Sequence, residues 1–202
     1  MLNLHIDIAI GKKIIIINLF IMIEWWKWGW NTKTWLHFEW KVSFEQLLES
    51  LDWYEVKNKK WINDSFEVFF DWNKVAETYK KHALYKWLLE PKWIDYKKII
   101  SKKLLPDNAI YVISNDTLFI IEIKYQQVAW SVDEKLQTCD FKNKQYRRLL
   151  KPLGIDVRYC YILSEWFMKS EYKDVLNYIQ AMDCHYFFWE LPLDFLWLPT
   201  KN

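Results

Sequence analysis

Residues 106–124 read PDNAIYVISNDTLFIIEIK, two apolar runs rich in Ile, Val, Tyr and Phe on either side of the polar segment SNDT. Residues of the first kind favour strands, and Ser, Asn and Asp favour turns. The stretch therefore predicts a β-hairpin with strands at 109–114 and 117–125. A tight turn centred on Asn115 and Asp116 pairs positions whose numbers sum to about 231, which sets Asp107 opposite Lys124.

Three charged side chains meet at the open end of this hairpin. Glu122 and Lys124 share a face because side chains alternate along a strand, and Asp107 joins them as the cross-strand neighbour of Lys124. Two adjacent carboxylates repel unless a cation lies between them. The group therefore predicts a Mg²⁺ site in which Lys124 orients or deprotonates an attacking water and screens the transition-state charge. The alternative is an ion-pair cluster at a strand end.

Regular elements flank the hairpin on both sides. Before it, Ser43 and Gln46 predict a capping box that opens an amphipathic helix. After it, residues 133–151 predict a helix with an apolar inner face and a basic outer face. The remaining predicted elements are a short helix from Thr34 that carries Glu39, strands at 66–70, 156–163 and 185–189, and helices at 79–90 and 170–181.

The motif Pro106-Asp107, fourteen residues and then Glu122-Ile123-Lys124 after an apolar strand matches the PD-(D/E)XK nuclease superfamily. Residues 25–167 resemble bacterial type II restriction endonucleases of that superfamily. The resemblance implies an α/β fold with a restriction-endonuclease-like mixed β-sheet flanked by α-helices in a single domain. It also implies Mg²⁺ dependence and phosphodiester hydrolysis, with Asp107 and Glu122 as metal ligands and Asp107, Glu122 and Lys124 as the catalytic centre.

Two further residues are carried over from the family on weaker matches. Glu39, on the predicted first helix, corresponds to an accessory acidic residue that joins the metal site. Gln145, on the later basic helix, corresponds to a supporting residue. The alternatives are a solvated acid at position 39 and a surface amide at position 145.

Predicted DNA contacts come from three segments. A polar loop near the N-terminus supplies one set, and Lys135 follows the catalytic strand closely enough to reach DNA. The basic helix face supplies the rest, because cationic side chains along one face can follow a phosphate backbone. The alternatives are a disordered N-terminal loop and a solvated helix face. The residues are Lys27, Asn31 and Lys33 in the loop and Lys142, Arg147 and Arg148 on the helix.

The composition sets the wider setting. The net charge of +2 says little about partners, so any nucleic-acid surface must come from local clusters of Lys and Arg. Cys139, Cys160 and Cys184 form no CxxC pair, which argues against a disulfide framework and a zinc site and indicates a cytoplasmic protein. The sequence contains no Gly-rich phosphate loop, so it does not predict ATP binding.

The function predicted first is that of a Mg²⁺-dependent endonuclease that hydrolyses phosphodiester bonds of double-stranded DNA, as a type II restriction endonuclease does. A homodimer is expected because a two-fold axis matches palindromic sites. A cognate DNA methyltransferase encoded nearby is the expected companion, and no membrane partner is expected. The alternatives are a DNA repair nuclease or Holliday junction resolvase and, from another class, a non-catalytic DNA-binding protein.

Residues 1–23 differ from the rest of the chain. Lys12 and Lys13 precede an apolar run from Ile14 to Ile23, interrupted by Asn18, that is too short to span a bilayer as a helix. No small-residue cleavage site follows the run. We interpret 1–23 as an extension outside a nuclease domain at 24–202, with a signal peptide or an edge strand as the alternatives.

The chain has 15 Trp and 3 Gly, whereas an average composition of roughly 7% Gly would give about 14. The Trp residues cluster where chains normally turn, as in the segment WWKWGWN at 25–31. We hypothesise that most of them are glycines in the natural protein, because a gene whose UGA codons encode glycine gives this pattern when UGA is translated as Trp. A genuinely Trp-rich protein is the alternative.

Overall fold

The computed structural model describes residues 35–38, 43–59, 64–126 and 132–201. In these ranges the strands are β1 (Trp35–His37), β2 (Tyr54–Asn58), β3 (Ser65–Phe70), β4 (Asn73–Tyr79), β5 (Asn108–Val112), β6 (Thr117–Lys124), β7 (Asp156–Leu163), β8 (His185–Phe188) and β9 (Glu190–Pro192). Seven of them form one mixed sheet in the order β2-β3-β4-β5-β6-β7-β8, and β1 pairs with β9. From β2 to β6, each strand is antiparallel to the next one in the sheet, whereas β7 is parallel to both β6 and β8.

Helices pack on both faces of the main sheet. The first one begins with the predicted capping box, in which Ser43 and Gln46 each bond to the backbone N–H of the other. No helix in the described ranges is long and apolar enough to cross a membrane. The helices are α1 (Phe44–Glu49), α2 (Val132–Leu136), α3 (Cys139–Leu150) and α4 (Lys173–Ala181), and Leu84–Leu89 forms a π-helical turn.

Strand β6 separates two hydrophobic cores because alternate side chains leave its opposite faces. Leu118 and Ile120 pack with residues of α3 and α4, whereas Phe119 and Ile121 pack with α1 and the segment after β9. All four side chains are fully buried. The strand is therefore fixed from both sides, and Glu122 is the first charged residue at the end of this buried run.

The predicted hairpin forms, but with a different register. Val112 pairs with Thr117 and Asn108 with Ile121, so the paired numbers add to 229. The loop has four residues because Ile113–Asn115 form a 3-10 turn and Asp116 adopts a left-handed conformation. Asp107 therefore precedes the paired strand at the level of Glu122, not of Lys124. A shift of two residues leaves every side chain on its predicted face, because the side-chain period is two.

Three predicted helices differ in the structure. The segment after Thr34 is not helical; Trp35–His37 is strand β1, because its hydrogen-bond partners lie in β9. The helix predicted at 79–90 is shorter, since Tyr79 ends β4, Leu84–Leu89 is a π-turn and a 3-10 turn follows at Glu90–Lys92. The helix predicted at 133–151 is interrupted after α2, where the Thr138 hydroxyl donates to the Lys135 carbonyl at 2.7 Å.

The other predicted elements are confirmed with small changes at their ends. The strand predicted at 156–163 is β7 with the same bounds, and those predicted at 66–70 and 185–189 are β3 and β8. The helix predicted at 170–181 is α4, preceded by a 3-10 turn at Ser170–Tyr172. A mixed α/β fold with a seven-stranded sheet flanked by helices is therefore established.

Among the residues that the structure describes, four tryptophans have the left-handed backbone conformation that glycine favours. The φ angle is 68° at Trp72, 59° at Trp93, 58° at Trp189 and 55° at Trp197. This conformation costs an L-residue roughly 1–2 kcal/mol, and Trp lacks the short polar side chain that lets Asn or Asp adopt it. Asp71 and Trp72 form the turn between β3 and β4 with φ positive at both, a geometry for which Asp-Gly is preferred. The backbone thus supports the hypothesis of glycine at these positions.

Replacing Trp72 or Trp93 with Gly should raise the free energy of unfolding by about 1 kcal/mol each, because backbone strain is relieved. Little packing is lost, since these side chains are 89% and 94% exposed. Trp87→Gly is the matched control and should destabilise, because Trp87 packs against the core. Urea unfolding of the three variants measures this. A loss of stability in W72G and W93G, or UGG codons at the suspect positions of the gene, would contradict the glycine hypothesis.

A charged network joins strands β3 and β4 on one face of the sheet. Lys74 donates to Glu67 at 2.7 Å, and Glu77 accepts from Lys59, Lys74 and Tyr79. Burial disfavours the charged form of Glu77, but these hydrogen bonds outweigh it and lower the pKa of Glu77 to about 2. The network therefore stabilises the fold when Glu77 is ionised.

Glu77→Gln should lower the free energy of unfolding at pH 7 by on the order of 2 kcal/mol, because three donors lose a charged acceptor. A lowered carboxyl pKa stabilises above the ordinary pKa, and that contribution is lost as the pH falls through the folded value. The difference from wild type should therefore shrink between pH 4.5 and about 2. Urea unfolding at several pH values tests this, with the exposed Glu55→Gln as control. A difference that is constant with pH would disprove the assignment.

Candidate active site

The charged residues of the hairpin lie at one end of the main sheet. Glu122 and Lys124 are at the C-terminal end of β6, and Asp107 directly precedes β5 on the neighbouring strand. On the other side, β7 runs parallel to β6 and sets Tyr161 beside Glu122. The three residues thus lie where β6 has an antiparallel neighbour on one side and a parallel neighbour on the other.

Lys124 joins the two carboxylates. Its Nζ donates to Glu122 Oε2 at 2.7 Å and to Asp107 Oδ2 at 3.2 Å. The backbone N–H of Ile123 donates to the same oxygen of Asp107 at 3.3 Å. Asp107 is therefore held against β6 although it lies outside the paired part of β5, and the three side chains share one face as predicted.

A fourth charged side chain reaches this group from helix α3. Lys142 Nζ donates to Glu122 Oε2 at 3.2 Å, and this is the oxygen that accepts from Lys124. Sequence reasoning assigned Lys142 only to the DNA-binding face of the helix. Its contact with Glu122 depends on how α3 packs on the sheet, which a helical pattern alone does not reveal. The cluster of Asp107, Glu122, Lys124 and Lys142 contains two carboxylates and two ammonium groups.

Burial decreases from the centre of this cluster to its edge. The side chain of Glu122 is 5% exposed and that of Lys124 17%, whereas Asp107 is 45% exposed. Burial disfavours the charged form of Lys124, but the charges of Glu122 and Asp107 outweigh it and raise the pKa of Lys124. Lys124 is therefore a cation in this arrangement, and the cluster opens to solvent on the side of Asp107.

Two buried tyrosines lie in the core close to Glu122. Tyr146 of α3 and Tyr159 of β7 are almost completely buried. Burial raises the pKa of both phenols well above the ordinary value, and the nearby charge of Glu122 adds to the effect. Both therefore stay neutral, and the low polarity of this region strengthens the electrostatic interactions of Glu122.

The donor set fits a hard divalent cation. Asp107 and Glu122 direct carboxylate oxygens at one common cation, the Lys124 ammonium group. Mg²⁺ keeps several waters and usually takes only one or two carboxylates from a protein. No group of three or more His, Cys, Asp or Glu in the described ranges is placed to hold a metal ion. These two carboxylates would therefore be the described chain's contribution to a Mg²⁺ site.

The predicted DNA contacts beside the cluster have different environments. Lys135 is exposed on α2. Arg147 of α3 donates to Asp183 Oδ2 at 2.6 Å and to the Val157 carbonyl at 3.3 Å. Its guanidinium group is therefore engaged with β7 and with the turn after α4, and the structure does not bring it to the cluster.

Arg148 and Gln145 form a second contact region on α3. The guanidinium group of Arg148 donates to the Ile99 carbonyl at 2.9 Å and to Gln145 Oε1 at 3.3 Å. The bond to Ile99 connects α3 to segment 96–103, which carries four lysines, Lys97, Lys98, Lys102 and Lys103. Gln145, predicted as a supporting residue, thus contacts Arg148. The predicted residues Lys27, Asn31, Lys33 and Glu39 and the extension at 1–23 lie outside the described residues.

Comparison of the chain with protein-family models, with curated proteins and with solved structures finds no match.

Arg148→Gln should destabilise the protein by about 1 kcal/mol in the absence of DNA, because the Ile99 carbonyl loses a charged donor. The exposed Lys135→Gln should leave the stability unchanged. Thermal unfolding of both variants without DNA makes the comparison. If R148Q unfolds at the wild-type temperature, the side chain has no structural role and is available for DNA.

Proposed function

We propose that this protein is a Mg²⁺-dependent endonuclease that hydrolyses phosphodiester bonds of double-stranded DNA. The observation that carries the proposal is the contact of Lys124 with both Asp107 and Glu122 at the end of a buried strand. Paired carboxylates beside a lysine suit a metal ion that acts on phosphate.

The two carboxylates and the lysine of the cluster have different roles. Asp107 and Glu122 would hold the metal ion, which would supply Lewis-acid chemistry that polarises the phosphodiester and favours formation of hydroxide. Lys124, a cation between them, orients the attacking water and stabilises the negative charge that develops on the phosphate. The buried surroundings of Glu122 keep its orientation fixed, and the exposure of Asp107 leaves the opposite side open to DNA.

We further propose a restriction-endonuclease-like form of the observed α/β fold. The support is the position of the motif on a hairpin of a mixed sheet, after α1 and before α3. A type II restriction endonuclease acting as a cytoplasmic homodimer, with a methyltransferase encoded nearby, is the specific form we favour. A repair nuclease or junction resolvase would use the same chemistry on another substrate, and a non-catalytic DNA-binding protein would not need the charged cluster.

Asp107→Ala and Glu122→Ala should each reduce Mg²⁺-dependent cleavage of plasmid DNA by at least roughly 10³-fold, because the metal loses a ligand. Glu55→Gln, an exposed acid paired with Lys57 on β2, is the control and should cut at the wild-type rate. Discrete fragments indicate a site-specific enzyme and a smear a non-specific one. Preference for a branched over a linear duplex selects the junction resolvase. Unchanged cleavage by D107A and E122A would refute the assignment.

Metal binding can be measured without any turnover. Mg²⁺ or Mn²⁺ should raise the melting temperature of the wild-type protein, because an ion that binds only the folded state stabilises it. The shift should disappear in D107A and E122A and persist in E55Q. Equal shifts in all four proteins would place the metal elsewhere.

A further inference from the structure

We propose that Lys142 is a second active-site cation, which binds the phosphate of the DNA strand being cut. This inference rests on the proposed nuclease function and adds to it a residue from helix α3. It goes beyond the sequence motif, which contains one lysine, Lys124. The proposal makes Lys142 part of the reaction centre instead of a contact to a distant part of the DNA backbone.

Lys142 contacts the same oxygen of Glu122 as Lys124 does. Lys142 Nζ lies 3.2 Å from Glu122 Oε2, and Lys124 Nζ lies 2.7 Å from the same atom. One carboxylate oxygen is thus shared by two ammonium groups that come from different elements. Lys124 alone, at the shorter distance, supplies a counter-charge for the buried Glu122. Lys142 adds a cation that the neutralisation of Glu122 does not require.

The total charge of the cluster also supports a role for Lys142 in phosphate binding. Its two carboxylates and two ammonium groups sum to zero, so a divalent ion on the carboxylates would leave an excess of two positive charges. A phosphodiester attacked by hydroxide carries two negative charges in the transition state. The metal ion, Lys124 and Lys142 together carry four positive charges, and the two carboxylates carry two negative ones. The remaining charge of +2 balances the two negative charges of the attacked phosphodiester. Without Lys142 the remaining charge is only +1. Preorganised cations of this kind stabilise developing charge.

The position of Lys142 is fixed by the helix that carries it. Asn143, Tyr146 and Leu149 of α3 are buried. Tyr146 lies near Glu122, whose charge contributes to the raised pKa of the Tyr146 phenol. The side chain of Lys142 itself is 26% exposed. It is therefore held at the cluster by a rigid element and still has a face open to a substrate.

The other cations of α3 are directed elsewhere. Arg147 bonds to Asp183, and Arg148 bonds to the carbonyl of Ile99. Lys144 bonds to Asp140 Oδ2 at 2.9 Å, and it lies two residues from Lys142, which is about 200° around the helix. Lys144 is thus a matched control: the same residue type, on the same helix, paired with one carboxylate and directed away from the cluster.

The first experiment measures the binding of linearised plasmid DNA with Ca²⁺ in place of Mg²⁺, over a series of salt concentrations. Each phosphate contact contributes about 0.9 to the slope of log K against log salt. The slope should become shallower by about 0.9 in Lys142→Gln, stay near wild type in Lys142→Arg, and be unchanged in Lys144→Gln. An unchanged slope in K142Q overturns the proposal whether or not the protein cuts DNA.

The second experiment measures cleavage with Mg²⁺ in excess. K142Q should lower kcat by roughly 10²-fold and raise KM by a smaller factor, since the phosphate contact exists in the bound complex and strengthens in the transition state, and K142R should recover part of the loss. If Lys142 only positioned Glu122, K142Q would change the Mg²⁺ concentration for half-maximal rate and leave the salt slope as in wild type, and that result also overturns the proposal. A wild-type protein that does not cut DNA refutes the nuclease function and with it an active-site role for Lys142, and the salt slope then decides only whether Lys142 contacts a DNA phosphate. Circular dichroism and thermal unfolding confirm that each variant is folded.

Discussion

The buried carboxylate of Glu122 is the constraint on which the rest of this structure depends. An acid that is only 5% exposed must be neutralised, because an unpaired buried charge is strongly destabilising. Lys124 of β6 meets that need, and Lys142 of α3 contacts the same carboxylate oxygen. The pairing connects the helix to the end of the sheet, and Lys124 extends it to Asp107 on the neighbouring strand. The packing of α3 on the hydrophobic core therefore also brings Lys142 to the charged cluster.

The parts of this arrangement that follow from local rules were predictable from the sequence. Strand β6 is a continuous apolar run that ends in Glu122-Ile123-Lys124, and alternation puts both charges on one face. The observed turn is longer than the predicted one, because Asp116 and the 3-10 turn before it make a four-residue loop. The resulting register error is two residues. An error of one residue would have moved Asp107 to the other face.

What the sequence did not reveal depends on partners that are distant along the chain. Strand β1 exists because β9 pairs with it across about 150 residues, and no local pattern encodes that contact. Arg148 belongs to a regular basic stripe of α3, yet its partner is the carbonyl of Ile99, in a separate segment. Lys142 lies six residues earlier, about 120° away around the helix, and faces the cluster instead. A stripe predicts which side of the helix is polar, but the docking of the helix decides what each cation contacts.

If the left-handed tryptophans are glycines in the natural protein, the residues of the cluster stay the same and only the connections between the elements differ. Elements β5, β6 and α3, which carry the cluster, contain no Trp. The left-handed tryptophans lie instead at changes of chain direction, and Trp189 stands between β8 of the main sheet and β9 of the small one. At such a junction the backbone requires a positive φ, and glycine supplies it without strain. The chemistry of the site and the conformational demands of its connections are thus encoded by separate residues.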